Sequence, residues 1–527
     1  MRMRMRMRMR RTNLRKKNTF RLTVLDEPRV RVGKGQIFTH PRDGLFLAGP
    51  LSTVGQPKEI ELGAIGTTIG LELFRQFCEK VRGFIAPRPK ERPGPGLQRQ
   101  AWPGFKAPFA CDWPAEPLAR MPILEEKLTS AIRAMFHHEA IHDVATILID
   151  SITKYLGQNE FNPKVWFLIV PDDTYQYGRT MKQPPKKERH RGKLTFNEIT
   201  GRQILRDGSL LPDDFEMAQI FRYRPDLHNQ LKARLLQGKS PIVQFLREKT
   251  IRNFLAEDGS WEARHSSDPT EIAWNLCTSV YYKSTGRPWQ LHSIRPGVCY
   301  VGLVFKKDQT DSDPENACCA AQMFLDSGDG VVFKGSDGPY FSATTKEFHL
   351  TKDRAAELIR TVMDSYKENH RGKSPSELFI HGRTRFNEVE FDGFCEGAGK
   401  GTKVVAIRIR SDRGLKLFRL GEYPVLRGTA LYLSERNGYL WTRGTVPDLR
   451  TYLGSEVPNP LHIEIVQGHA RLESVMKDVM ALTKVNFNGC MFADGLPVTL
   501  RFADSVAEIL TSAPLQPSSP WAFKHYI

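Results

Sequence analysis

The feature that most constrains this chain is a run of six apolar residues, Val165 to Val170 (VWFLIV), entered through Pro163-Lys164 and followed by Pro171. Six residues rich in β-branched and aromatic side chains are too few for a helix and suit a strand buried on both faces. Such a strand needs helices on either side of its sheet. The chain supplies them. Apolar residues recur at helical spacing from Ile123 to Leu156, and strand, loop and helix follow again through Lys283. This alternation predicts a doubly wound α/β domain. Ahead of it, Phe20 to about Gly70 reads as strands and turns (FRLTVL, GQIFTH, GLFLAGPL), and residues 86–119, rich in Pro, Gly, Lys and Arg, read as an extended loop.

A second α/β region starts near Leu291. Val298–Lys306 and Ala320–Leu325 are expected as adjacent strands, with further strands at Ser376–His381, Lys403–Arg410 and His462–Val466. Helices are expected at Thr351–Asn369, Leu472–Thr483 and Ala503–Leu510. There is no internal repeat. No apolar run is long enough to span a bilayer, and no apolar segment follows the basic N-terminus as a secretory signal requires. The eight cysteines are scattered without a C-x-x-C pair, which argues against a zinc ribbon or a disulfide framework and fits a reducing cytoplasm.

Net charge is +18 over 527 residues, and its placement matters. Residues 1–17 carry nine positive charges and no negative one, in a low-complexity Met-Arg repeat to which no function is assigned. The rest is still basic, with a second block from Arg179 to Lys193 (RTMKQPPKKERHRGK). Basic loops on a basic body fit a polyanionic partner.

Two motifs suggest chemistry that their surroundings do not support. His138-Glu139-Ala140-Ile141-His142 matches H-E-x-x-H, the zinc-peptidase pattern on a helix. A third ligand is missing: Ala145 and Leu148 stand where one continuation needs Gly and His. Glu160, near the spacing another requires, is followed at once by Pro163 and a strand. The same helix carries an apolar stripe (Ile141, Val144, Leu148, Ile152), so the plainer reading is core packing with histidines at the surface. Gly397 to Thr402 (GAGKGT) hints at a P-loop. Gly393 is one residue too far from the Gly-Lys pair, Gly401 replaces the Ser or Thr, and a strand follows instead of a helix, so it reads as a flexible turn.

A third constellation is more informative. In residues 226–249 (DLHNQLKARLLQGKSPIVQFLREK), His228 and Lys232 share a helix face and Arg234 adds charge to the same helix. After the break at Gly238, Gln244 is expected to open the next helical segment behind Pro241. Lys, His, Gln and helix N-terminal amides together make an anion site, with phosphate the usual anion. A basic solvated helix face is the competing reading.

This stretch resembles the MID domain of Argonaute proteins, whose guide pocket uses an aromatic or His residue, a Lys four positions on, a Gln about a dozen later and a Lys before a Gly-containing turn. Here these match His228, Lys232, Gln244 and Lys283. A further family lysine falls on Ser279, and the interval from Gln244 to Lys283 is longer than usual. Pro458 to Leu510 resembles the end of a PIWI domain. The C-terminal His525-Tyr526-Ile527 is consistent with the prokaryotic pattern, in which the terminal carboxylate helps hold Mg²⁺ against the guide phosphate. By this resemblance Ile527 and Gln244 are the metal positions. The chain would then comprise a basic tail (1–19), a Rossmann-like MID domain with a strand-rich N-terminal extension (20–290) and an RNase H-like PIWI domain (291–527), the layout of short prokaryotic Argonautes.

Cutting members of that family carry catalytic carboxylates that hold two metal ions. Here Val304 and Arg383 stand at two of the positions, and only Asp504 persists at the last. The resemblance therefore implies no slicing. It implies a short 5′-phosphorylated guide RNA paired with single-stranded DNA of plasmids or phage. It also implies an APAZ-domain partner bearing a TIR, sirtuin-like or nuclease effector, and abortive-infection immunity in the cytoplasm without membrane association. The alternatives are a stand-alone Argonaute acting by occupancy and, further off, the zinc peptidase.

Overall fold

The computed structural model describes residues 20–527 apart from 53, 89–99, 210, 238–240, 258–259, 261–265, 293, 308–316, 326–329, 338, 343, 422, 450, 453–455 and 515–520. The Met-Arg repeat and the Gly238 break lie outside the described residues.

The six-residue run is a strand, Val165–Val170, buried at every position. It sits in a parallel four-stranded sheet ordered Ala119–Pro122, Leu62–Gly66, Val165–Val170, Ile242–Arg247. Its side chains alternate between two cores. Val165, Phe167 and Ile169 pack with Phe74, Phe77 and Phe254 from the helices Thr68–Arg82 and Glu248–Leu255. Trp166 and Leu168 pack with Leu148 and Leu231 from the helices His137–Gln158 and Leu227–Leu235. Helices on both faces explain why the strand is apolar throughout.

The second region is built on a ten-stranded mixed sheet. At its centre Val298–Lys307, Glu377–Gly382 and Lys403–Ser411 run parallel. Ala317–Phe324 pairs antiparallel beside them, and Leu461–Gln467 follows on the other side. The helices Lys352–Asn369 and Glu388–Ala398 cover one face, and Leu472–Leu482 and Ala503–Leu510 lie in the core on the other. The glycine-rich turn is a turn: Gly399 (φ 78°) ends the Glu388–Ala398 helix, and Gly401 (φ 108°) precedes the Lys403–Ser411 strand.

Several expectations change. FRLTVL is a strand, Arg21–Val24, but it pairs with Thr429–Tyr432 in the ten-stranded sheet and so leaves the 20–290 unit to which it was assigned. GLFLAGPL is not a strand. Pro41–Ala48 is a helix, started by Pro41 and by the His40 ring, which accepts the Arg42 N–H at 3.1 Å. The helical spacing of Ile123–Leu156 divides into Glu125–Ile132 and His137–Gln158. The stretch read as an extended loop places Trp102, Phe105, Phe109 and Trp113 in the core. No helix among the described residues is long and apolar enough to cross a membrane.

Candidate functional site

Three elements of the first sheet region and the last residues of the chain converge on one cluster of cations. The Leu227–Leu235 helix starts at Asp226, whose carboxylate accepts the Asn229 N–H at 3.0 Å and the Thr180 hydroxyl at 3.1 Å. That cap aims His228 and Lys232 along one face. The Pro269–Ser284 helix begins with an Asp268 cap and Pro269 in its first turn, and carries Lys283 in its last turn. Between them the Ile242–Arg247 strand presents Gln244.

Lys283 Nζ donates to Gln244 Oε1 at 2.7 Å and to the Val243 carbonyl at 3.3 Å. Gln244 Nε2 donates to the Phe245 carbonyl at 3.1 Å. Lys232 Nζ donates to the Tyr526 carbonyl at 3.0 Å. The His228 ring lies 5.0 Å from the Phe245 ring and 3.2 Å from Asn229 Oδ1, and the residue is exposed. Tyr526 and Ile527 are buried.

The electrostatics are those of a site short of negative charge. Both lysines are buried. Burial brings the Lys232 pKa down to about 7, and burial together with the Lys232 charge pushes Lys283 well below its ordinary value. His228 is lowered by the surrounding protein, then by Lys232 and Lys283. His525 is held down at about 4 by burial and by Lys524, Lys283 and Lys232. Among the described residues no Asp or Glu side chain raises either lysine. Buried ammonium groups are ordinarily paired, so this pair calls for an anion from outside, and a phosphate with several acceptor oxygens suits it.

The four predicted residues are thus brought together, with differences. Gln244 does not open a helix: it lies in a strand that pairs with Val165–Val170, and the helix starts at Glu248. Arg234 turns to the other side of its helix, donating to the His142 carbonyl at 3.3 Å and to Thr146 Oγ1 at 3.0 Å. Ser279 is buried and donates to Asn488 Oδ1 at 3.1 Å. The sequence points to the His525-Tyr526-Ile527 stretch through Ile527 alone; the Tyr526 carbonyl and His525 enter the cluster only in the fold. As a Mg²⁺ site the donors are incomplete by themselves. Gln244 Oε1 already accepts from Lys283, and two lysines flank it. A divalent cation needs several oxygen ligands, so it fits only together with an anion that brings its own.

A second cluster lies at the carboxyl ends of the central parallel strands. Val304 is buried on the first of them, and Gly382, just before Arg383, is level with Leu303. Arg383 Nη1 meets Asp504 Oδ2, in the first turn of the Ala503–Leu510 helix, at 2.7 Å. Arg408 spans Glu347 at 3.4 Å and Glu464 at 3.7 Å, and Arg385 pairs with Glu464. Here each of these arginines already has a carboxylate.

The H-E-x-x-H helix is built for packing, although its histidines are not surface groups. His138 is buried against Phe221 with rings 5.0 Å apart, and the half-buried His142 lies 5.2 Å from the Tyr223 ring. Glu139 is buried and accepts backbone N–H bonds from Lys193 and, at 3.3 Å, from Leu194, which fastens the basic 179–193 block to the helix. Among the described residues no three His, Cys, Asp or Glu side chains form a group able to hold a metal ion.

No protein-family model matches the chain. No curated protein matches it by sequence. Solved structures do match by shape. The Clostridium butyricum Argonaute bound to a guide DNA and a 19-mer target DNA is similar over 96% of this chain and 55% of its own, at 13% identity and a TM-score of 0.61. Drosophila Piwi is similar over 96% of this chain and 56% of its own, at 12% identity and a TM-score of 0.56. The Argonaute Aa-Ago with externally bound siRNA is similar over 96% and 56%, at 15% identity and a TM-score of 0.53. The chain therefore spans about half the length of the structures it matches. It has the α/β fold of Argonaute and Piwi proteins, a Rossmann-like MID unit followed by an RNase H-like PIWI unit.

Proposed function

We propose that the chain binds the 5′ phosphate of a short guide, RNA by preference, and presents the guide for pairing with complementary single-stranded DNA. The observation that carries this reading is the pair of buried lysines, Lys232 and Lys283, converging beside Gln244 and His228 with no Asp or Glu side chain among the described residues to neutralise them. A terminal phosphate brings the missing charge and enough acceptors for both ammonium groups. The net charge of +18 supports retention of a polyanion. A similar fold, that of the C. butyricum Argonaute, holds a guide DNA and a target DNA. Sequence would be read by base pairing, and the protein would hold backbone and end.

In this reading the RNase H-like unit does not cut. Val304 offers no metal ligand and Arg383 puts a cation where Mg²⁺ would sit. Magnesium would instead join the bound phosphate, with the Ile527 carboxylate and Gln244 as its protein donors. The wider role, carried by the resemblance, is that of a short prokaryotic Argonaute in the cytoplasm. It recognises DNA of invading plasmids or phage and acts through an APAZ-domain partner bearing an NADase or nuclease effector in abortive infection.

The test is the nucleic acid that copurifies with the chain. Lys232→Ala combined with Gln244→Ala is expected to remove 5′-phosphorylated oligonucleotides, and unchanged content would refute the pocket. A loaded protein is expected to leave a matched target intact in Mg²⁺ or Mn²⁺. Cleavage at one guide-defined position would show that the carboxylates had been misplaced.

A further inference from the structure

The ten-stranded sheet ends at Arg21–Val24, an edge strand among the described residues, with Thr429–Tyr432, Asn437–Leu440, Leu461–Gln467 and Lys403–Ser411 beside it in turn. One face of the four inner strands is core. Tyr432, Gly438, Ile463 and Ile409 line up on it above the Leu472–Leu482 helix. The other face is open. Across it the register aligns Leu22, Leu431, Tyr439, His462 and Arg410 in one row, none of them buried.

The row changes character along its length. At the edge it is aliphatic and exposed: Leu22 is 55% exposed, and Phe20 and Leu433, two residues on from Leu22 and Leu431 in either direction, are 62% and 39% exposed. At the far end it is charged: Arg410 and Arg413 are exposed, and Asp412 between them bonds Tyr439 of the row, leaving an excess of positive charge. A contiguous apolar surface with a charged border marks a contact site. An edge strand adds an unpaired row of backbone donors and acceptors, which natural proteins otherwise blunt or cover.

We propose that this edge and face receive a protein segment that adds a β-strand to Arg21–Val24, lays apolar side chains on Leu22, Leu431 and Leu433, and meets Arg410 and Arg413 with acidic residues. Charge decides among occupants. A second copy would bring another body of +18 against the same basic border. A nucleic acid would find the arginines but has no use for the aliphatic half.

The experiment places a photo-crosslinking phenylalanine at Leu22 in the full chain, with Val389, exposed on the Glu388–Ala398 helix, as the control position. Cells that naturally make the protein are irradiated, and crosslinked peptides are sequenced. The expected result is one partner segment with alternating apolar residues and acidic neighbours, captured from Leu22 and not from Val389. Leu22→Glu with Leu431→Glu, and separately Arg410→Glu with Arg413→Glu, should each cut its capture at least tenfold, read at an unmutated Phe20 crosslinking position. Copurified guide content should stay unchanged, which separates this surface from the phosphate pocket. Crosslinks to nucleic acid, to a second copy, equally from both positions, or to no macromolecule would overturn the proposal.

Discussion

Two clusters of cations in this molecule differ in one respect that separates a binding site from a filled one. Among the described residues, Lys232 and Lys283 are buried and donate only to neutral oxygens, at 2.7 to 3.3 Å. Arg383 and Arg385 follow the Glu377–Gly382 strand, Arg408 lies level with Gly382 on the next strand, and each donates to a carboxylate. The first arrangement is electrostatically unsatisfied, and burial shows it in the lowered lysine pKa values. The second is neutralised within the protein. A site that waits for an anion is therefore found where the cations' partners are neutral, rather than where cations are most numerous.

The largest expected effect comes from removing one ammonium from the first cluster. Lys232→Met should weaken binding of a 5′-phosphorylated oligonucleotide on the order of 10–100-fold, the worth of a hydrogen bond to a charged group. The guide-free variant should hold or gain melting temperature, because an uncompensated buried charge is replaced by an apolar chain of similar length. Binding titrations and a thermal melt read the two effects. Loss of both guide and fold would make Lys232 a structural residue and collapse the comparison.

A metal test of the second cluster comes next in size. If Val304 and Arg383 stand where carboxylates once held metal, Val304→Asp with Arg383→Asp should place two more carboxylates near Asp504. Mn²⁺ should then raise the melting temperature of this variant and not that of the parent. An equal response in both, or in neither, would separate Asp504 from any former metal centre.

The pH dependence sharpens the contrast further. With a Lys232 pKa of about 7 in the empty site, phosphate binding draws in a proton above that pH. Guide affinity should fall between pH 7 and 9, at most tenfold per unit for each proton taken up. Stability of the guide-free protein runs the opposite way. The unfolded lysine, near its ordinary value of 10.5, binds more protons than the folded one across this window, so melting temperature should rise with pH. Loading with guide should flatten that rise. Paired arginines contribute nothing here, since guanidinium keeps its proton throughout. Calorimetric titration at three pH values gives the proton count directly.

How much of this was legible beforehand follows from which interactions are local. Asp226 as a cap and the four-residue spacing of His228 and Lys232 are helix-local, and the sequence shows them. The Val165–Val170 strand announces itself because both of its faces are buried. Gln244 lies beside Lys283, but on a strand and not at the start of a helix. Pro241 was read as a helix start, whereas Ile242 to Arg247 completes a parallel sheet whose other strands lie far back in the chain. Arg21–Val24 looked like a strand but could not name its neighbour, because its partner is some 400 residues away. His40 capping Pro41–Ala48, and Trp102 to Trp113 filling the core behind a Pro- and Gly-rich surface, likewise depend on partners that spacing does not reveal. The state of charge at the two clusters was the least legible of all. Whether a lysine or an arginine has a carboxylate beside it is a tertiary fact.

The smallest expected effect tests the other half of the comparison. The Arg383–Asp504 pair is short, at 2.7 Å, but its two side chains are 44% and 50% exposed. Exposed pairs of this kind contribute roughly 0–1 kcal/mol, because water screens the attraction and two long side chains lose freedom. Arg383→Ala should therefore lower stability by no more than about 1 kcal/mol in a denaturant titration. Guide content, read on the same preparation, should not change. Both expectations follow from a cation already neutralised where it stands. A loss of guide as large as that of Lys232→Met would mean that Arg383 leaves Asp504 for the nucleic acid when it is present, and that an ion pair drawn in the empty protein does not mark a site as filled.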